Sequence, residues 1–248
     1  MQLATWNVNS LTVRLPQVLD WLAANPVDAL VLQETKTTDD KFPAAAIEAA
    51  GYHVQFFGQK TYNGVAILSR RPIEDVTPRL PAPDGVLDEH SRYLEAVVTG
   101  EKGIVRVASI YAPNGNPQPG PKFDYKLAWM KRLRARMQTI KAEEVPAVVL
   151  GDYNVAPEDR DVHDPEVWRG QVLVSEPERA AFRARRLDDR PGVDPRELPS
   201  AVDPSSVDHH GVDVLGRARD LERRALLRGG DVERRHDRHL DEEVARED

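Results

Sequence analysis

The sequence predicts an α/β fold: a four-layer α/β/β/α sandwich with two strand-rich sheets packed face to face and helices outside. Three observations predict it. Short apolar runs such as Ala29-Leu30-Val31-Leu32 and Val145–Leu150 have the length and composition of strands buried on both faces. Alternating segments such as Leu3–Val8 have the period of a half-buried strand. Between them lie segments in which apolar residues recur at helical spacing, as Leu15, Val18, Leu19 and Leu22 do.

Taken in order, Leu3–Val8 is a strand, and the helix carrying Leu15–Leu22 ends at Asn25-Pro26, because the residue before a proline disfavours helical backbone. Val27–Leu32 is a buried strand, and Phe42–Ala50 is a helix closed by Gly51. Tyr52–Phe57 and Gly64–Ser69 are two further strands. Tyr93–Val98 and Ile104–Tyr111 form a pair around a turn at Gly100–Gly103. Asn114–Pro121, rich in Asn, Gly and Pro, is a loop. Lys122–Lys141 is a long helix whose Lys122, Lys126, Lys131, Arg132, Arg134 and Arg136 are expected on its solvated face. Val145–Leu150 is a strand, and Gly151 begins the loop after it.

The 248 residues suffice for a substantial core, and 40% hydrophobic with 30% charged residues is the balance of a globular protein in water. No apolar run reaches bilayer length, and no signal-peptide pattern opens the chain, so a cytoplasmic location is expected; the chain is separately expected to be a monomer. With no cysteine, disulfides and thiolate metal sites are excluded. A net charge of −7 argues against holding nucleic acid by bulk charge, though a local basic rim is enough to hold a phosphate backbone.

Polar residues stand at the downstream ends of the apolar strands: Asn7 and Asn9, then Gln33-Glu34-Thr35-Lys36, then Tyr111, then Asp152 and Asn154. Strand ends on one sheet edge bring such residues together, on loops that a rigid scaffold positions. Carboxylates with amide oxygens make a hard-oxygen donor set of the kind magnesium takes, since it uses few protein ligands and keeps its waters for phosphate. Each residue also has a purely structural reading. Asn7 can cap a turn, Tyr111 can be a core aromatic, and Asp152 with Asn154 can form an Asx-turn. Arg70, Arg71 and Arg92 are either DNA-backbone contacts or ordinary exposed arginines.

Five segments occur in order: Thr5-Trp6-Asn7-Val8-Asn9-Ser10, Leu32-Gln33-Glu34-Thr35-Lys36, Gly64-Val65-Ala66-Ile67-Leu68-Ser69, Tyr111-Ala112-Pro113-Asn114-Gly115 and Gly151-Asp152-Tyr153-Asn154-Val155-Ala156. Together they resemble the exonuclease III family of AP endonucleases, within the endonuclease/exonuclease/phosphatase superfamily, over residues 1–182. The resemblance implies a DNase I-like catalytic domain and a metal-dependent DNA-repair nuclease. Such an enzyme cleaves duplex DNA at 3′ ends and abasic sites with Mg²⁺ or Mn²⁺. It implies Glu34 as main metal ligand beside Asn7, with Asp152 and Asn154 completing the metal surroundings. It places Tyr111 against the scissile phosphate. Asp152 orients or activates the attacking water or protonates the leaving group, and Asn154 bonds the phosphate and helps fix the centre. Lys36, Arg70, Arg92 and Asn114 are the candidate DNA contacts.

The family continues with a Tyr-Thr-Phe-Trp-Asp type segment, an Arg-Ile-Asp type segment and a Ser-Asp-His, and none of these follows here. Phe182 is the last aromatic residue, and Ala184–Asp248 uses only ten residue types. Residues 183–248 are therefore expected to be an atypical, low-complexity tail, disordered or frame-shifted, with Asp208-His209 in a solvated loop. Nine of those ten types have codons beginning with G or C, which a slipped frame in a GC-rich gene would produce. The domain at 1–182 is thus expected to lack its terminal strands, which exposes a sheet edge and lowers stability, and a catalytically impaired DNA-binding remnant is the alternative function. A superfamily phosphatase acting on a small phosphoester is a further alternative.

Overall fold

A computed structural model describes residues 1–184 apart from 83, 84, 86, 101, 102 and 144. Expectations for the tail, including Asp208 and His209, lie outside the described residues. The strands are β1 (Leu3–Asn7), β2 (Ala29–Gln33), β3 (His53–Phe57), β4 (Val65–Ser69), β5 (Ile73–Pro78), β6 (Tyr93–Gly100), β7 (Gly103–Tyr111) and β8 (Ala147–Asp152). The helices are α1 (Leu11–Ala24), α2 (Ala44–Ala49), α3 (Pro121–Ala142), α4 (Pro165–Trp168) and α5 (Glu176–Ala184).

Two four-stranded sheets form, in the orders β1-β2-β4-β3 and β5-β6-β7-β8. In each sheet one strand pair is parallel, β1 with β2 and β7 with β8, and the others are antiparallel. The sandwich follows from three apolar clusters. Val31, Val65 and Ile67 of the first sheet meet Leu94, Ala96, Val98, Val107, Val148 and Leu150 of the second. The outer face of the first sheet, with Leu30, Leu32, Ala66 and Leu68, packs under Leu11, Val18 and Leu22 of α1 and Ile47 of α2. The outer face of the second, with Tyr93, Ala108, Ile110 and Val149, packs under Trp129, Met130 and Leu133 of α3 and Phe182 of α5. Strand β2 reads as an unbroken apolar run because Leu30 and Leu32 face helices while Val31 faces the other sheet.

Several sequence expectations are corrected in detail. The second helix begins at Ala44, after Pro43, rather than at Phe42. Strand β8 runs on through Gly151 to Asp152, because the parallel pairing with β7 continues to Tyr111↔Asp152. Strand β5 left no alternating signature: Glu74, Asp75 and Val76 are all exposed, and its register with β6 shifts between Glu74 and Thr77. Among the described residues β8 ends its sheet.

Arg136 is not on a solvated face. On β6, Glu95 is fully buried and accepts bonds from Arg136 Nε (2.9 Å), Arg136 Nη2 (2.5 Å), Arg106 Nη1 (2.9 Å) and the Tyr93 hydroxyl. Both carboxylate oxygens are filled, so the buried charge ties α3 to the sheet. Burial alone would raise the Glu95 pKa; bonds from Arg136 and Tyr93 and the charges of Arg136 and Arg106 outweigh it and hold the carboxyl below its ordinary 4.5. A depressed folded-state pKa contributes stability above about pH 4.5 that is lost as pH falls further. Glu95→Gln should therefore lose about 3 kcal/mol near neutral pH. In urea denaturation its deficit against the native chain should narrow at pH values below 4.5.

Gly151 has φ +146°, and a Cβ there would lie 2.0 Å from the Ile110 carbonyl oxygen of β7. A glycine is thus required where the two parallel strands run together into the Gly-Asp-Tyr-Asn segment. Gly151→Ala should destabilise by about 2 kcal/mol or more, read as a lower urea midpoint with an unchanged slope.

Candidate active site

The two parallel pairs end on the same edge of the sandwich. Strand β1 delivers Asn7, β2 delivers Glu34 one residue past its end, β7 delivers Tyr111 and β8 delivers Asp152. Asn7 is the hub. Its Nδ2 donates to Glu34 Oε1 at 2.7 Å and to Asp152 Oδ2 at 3.0 Å, bridging the two sheets, while its Oδ1 accepts from the Asn9 backbone N–H at 3.0 Å. The turn-capping reading of Asn7 and its placement in the cluster therefore both hold.

Glu34 is partly buried and carries φ +52°. Lys36, also left-handed at φ +50°, returns its Nζ to Glu34 Oε2 at 3.0 Å and to Asn9 Oδ1 at 2.6 Å. Burial by itself would raise the Glu34 pKa, but hydrogen bonds from Asn7, Lys36 and Tyr111 and the Lys36 charge hold it below its ordinary value. Burial, the Glu34 and Asp152 charges and the bond to Glu34 all push the Tyr111 hydroxyl up, so it stays a proton donor at neutral pH. The Tyr111 ring lies against the Arg92 guanidinium, 5.0 Å from ring centroid to Cζ, and Arg92 Nη1 donates to the Tyr111 carbonyl at 3.3 Å.

Asp152 Oδ1 accepts from the Asn154 backbone N–H at 2.8 Å, which is the Asx-turn anticipated from sequence, and its Oδ2 faces Asn7. Asn154, at φ +49°, gives its Nδ2 to the Ala112 carbonyl at 2.8 Å, and Asn114 Nδ2 lies 3.5 Å from Asn154 Oδ1. Asn154 thus laces the loop after β8 to the loop after β7.

The structure gathers Asn7, Glu34, Lys36, Arg92, Tyr111, Asn114, Asp152 and Asn154. It does not bring Arg70 to them. Strand β4 runs antiparallel to β2, with Ser69 opposite Ala29, so Arg70 and Arg71 lie at the other end of the sheet. That is a strand length, about 15 Å, from Glu34. Lys126 is a second correction: it is fully buried, and its Nζ reaches the Asn114 carbonyl at 2.9 Å, the Asn154 carbonyl at 2.6 Å and Glu178 Oε1. Its place was visible in the sequence, three residues after Phe123 and three before Trp129, on the apolar face of α3.

As a metal site the cluster offers two carboxylates as hard oxygen donors; Asn7 turns its Nδ2 to both, and its Oδ1 would have to take that place to join a cation. Among the described residues no three His, Cys, Asp or Glu side chains group so as to hold a metal ion between them. So sparse a set fits a hydrated hard cation that keeps most of its own waters, and does not fit a fully protein-caged one.

A face-to-face sandwich whose paired strand ends carry this polar cluster defines the class. The chain belongs to the endonuclease/exonuclease/phosphatase family, a metal-dependent group, whose model matches residues 4–203. It is similar to the 3′ phosphatase NExo from Neisseria, solved with a product DNA hairpin, at 47% identity and a TM-score of 0.70, covering 75% of this chain and 70% of that one. An AP endonuclease from Archaeoglobus fulgidus matches at 38% identity and TM-score 0.67, over 75% of this chain and 69% of that one. Exodeoxyribonuclease III of Haemophilus influenzae is 29% identical over 163 residues, 65% of this chain and 60% of that protein. The chain thus spans 60% of that relative's length, and 69% of the Bacillus subtilis exodeoxyribonuclease that it also matches at 29% identity over 73% of its own length. Among the described residues no helix is long and apolar enough to cross a membrane.

Replacing Lys36 by Met removes both the bond and the charge that lower the Glu34 pKa. Lys36→Met should therefore shift the Glu34 carboxyl titration upward, read by carbon-detected NMR on metal-free protein.

Proposed function

We propose that this chain is an exodeoxyribonuclease III-like DNA-repair nuclease that hydrolyses phosphodiester bonds at duplex 3′ ends and at abasic sites, in base excision repair. The observation that carries the reading is the convergence of Glu34 and Asp152, from different sheets, on the single amide of Asn7. Relatives named exodeoxyribonuclease III and AP endonuclease support the reaction class, and the DNA hairpin bound to the Neisseria 3′ phosphatase supports a DNA 3′ end as substrate.

Glu34 and Asn7, with Asp152 and Asn154 at the rim, would hold Mg²⁺ or Mn²⁺. What the bound ion supplies is positive charge beside the phosphate oxygens. Asp152 orients and deprotonates the attacking water, or returns a proton to the leaving oxygen, in an in-line displacement at phosphorus. The protonated Tyr111 hydroxyl donates to the phosphate as charge builds on it. Asn154 keeps the Asp152 and Tyr111 loops in register. Lys36, Arg92 and Asn114, at the same edge, face the DNA backbone. Bases and deoxyribose at a lesion must leave the stack to reach such a site, at an unstacking cost that damage lowers.

The test is incision of an end-labelled duplex carrying one abasic site, with Mg²⁺ and with EDTA. Cleavage should require the metal and fall about 100-fold or more in Glu34→Gln. Duplex DNA should outcompete a small phosphoester, which would not be so for a superfamily phosphatase. Salt-sensitive duplex binding by folded protein without turnover would make the chain a DNA-binding remnant.

A further inference from the structure

We propose that Lys126 and Glu178 form a buried charged pair that positions the two asparagine loops of the candidate active site, so that α5 acts as a brace for the chemistry. The catalytic part of this proposal rests on the nuclease reading above; the positioning part does not.

Lys126 and Glu178 are both fully buried. An ammonium has three N–H donors. Those of Lys126 have three acceptors: the Asn114 carbonyl, the Asn154 carbonyl and Glu178 Oε1. Glu178 is filled in turn. Its Oε1 also accepts from the Leu173 backbone N–H at 3.0 Å, and its Oε2 accepts from the Ser175 N–H at 3.2 Å and the Ser175 hydroxyl. One ammonium therefore crosslinks the loop after β7, the loop after β8 and the start of α5. The contact is close along the stem as well: Gly115 has φ +90°, and a Cβ there would lie 2.8 Å from Lys126 Cδ. Carbonyls at 114 and 154 belong to the residues whose side chains face each other at 3.5 Å above the pair, and Asn154 is two residues from Asp152.

A charged pair costs desolvation that an apolar pair of equal volume would not, so stability alone is a weak reason for it here. A hydrocarbon would fill the space under the loops but could not bond to their carbonyls. The geometry makes Lys126 and Glu178 positioning residues: they touch the backbone of the site and not its reacting atoms.

The test compares the native chain with Lys126→Met/Glu178→Gln, which removes both charges at nearly constant volume, and with Lys126→Arg, which keeps the charge and the donors. The double variant should fold, and should lose about tenfold or more in kcat on abasic duplex with KM within about twofold. Lys126→Arg should recover most of the loss. Independently of activity, amide hydrogen exchange in residues 112–118 and 152–157 should quicken in the double variant while β6 and β7 keep their protection. Native kcat and native loop exchange in a folded double variant would overturn the proposal. If the double variant does not fold, Glu178→Gln alone decides: faster exchange confined to those loops supports the pair as positioner, and exchange that is unchanged or lost throughout overturns it. A native chain without metal-dependent cleavage would remove the nuclease reading, and the loop-exchange comparison would still decide the positioning.

Discussion

The dry layer between the two sheets is the constraint on which the rest of the structure depends. Val31, Val65 and Ile67 press on Leu94, Ala96, Val98, Val107, Val148 and Leu150, and none of these side chains has room to slip. A strand that slipped by one residue would turn its apolar set to the wrong face, so the layer also locks register. Because β1-β2 and β7-β8 are the parallel pairs, register carries all four strand ends to one edge. The distance between Glu34 and Asp152 is thereby decided by core packing well below them. Even the polar link inside the layer serves this alignment: Gln33 Nε2 donates to Ser109 Oγ at 3.2 Å, and Ser109 Oγ donates to the Leu32 carbonyl at 3.0 Å.

Two carboxylates at adjoining strand ends repel each other, and the site answers with donors rather than with a wall of positive charge. Asn7 supplies one bond to each carboxylate, Lys36 supplies the nearby cation, and Tyr111 supplies a hydroxyl that its acidic surroundings keep protonated. The backbone is bent to serve them. Asn9, Ser10, Glu34, Lys36 and Asn154 all have positive φ without being glycine. Strain of that kind persists only where surrounding contacts over-determine it, and here those contacts are the bonds of the cluster itself.

Helix α3 joins the outer layer to this arrangement through two charges on one helix, Lys126 fully buried and Arg136 partly buried. Arg136 holds Glu95 of β6, and ten residues earlier Lys126 holds the site's loops and Glu178. The Lys126 ammonium has an acceptor for each of its three N–H donors, the condition under which a buried ion is tolerated. Arg136 sits in a basic stretch that reads in sequence as a solvated stripe, while Lys126 keeps the apolar spacing of Phe123 and Trp129. The α5 segment, with Phe182 packed edge-on to Tyr153 at 5.4 Å, closes the layer over them.

The sequence by itself determined the sandwich, because apolar runs, alternation and helical spacing are local consequences of which face a residue buries. It determined the candidate cluster too, since Asn7, Glu34, Tyr111, Asp152 and Asn154 stand at strand ends and strand ends are legible. What only the tertiary structure decided was which partner each charge takes. Lys126 and Arg136 differ from their basic neighbours on α3 by what lies across from them, a pairing between residues 52 and 41 positions apart. Arg70 and Arg92 look alike in sequence, but the antiparallel run of β4 carries one to the far end of its sheet while the turn before β6 sets the other beside Tyr111. Local pattern records burial, which each residue carries with it; direction and pairing across layers belong to the packed whole.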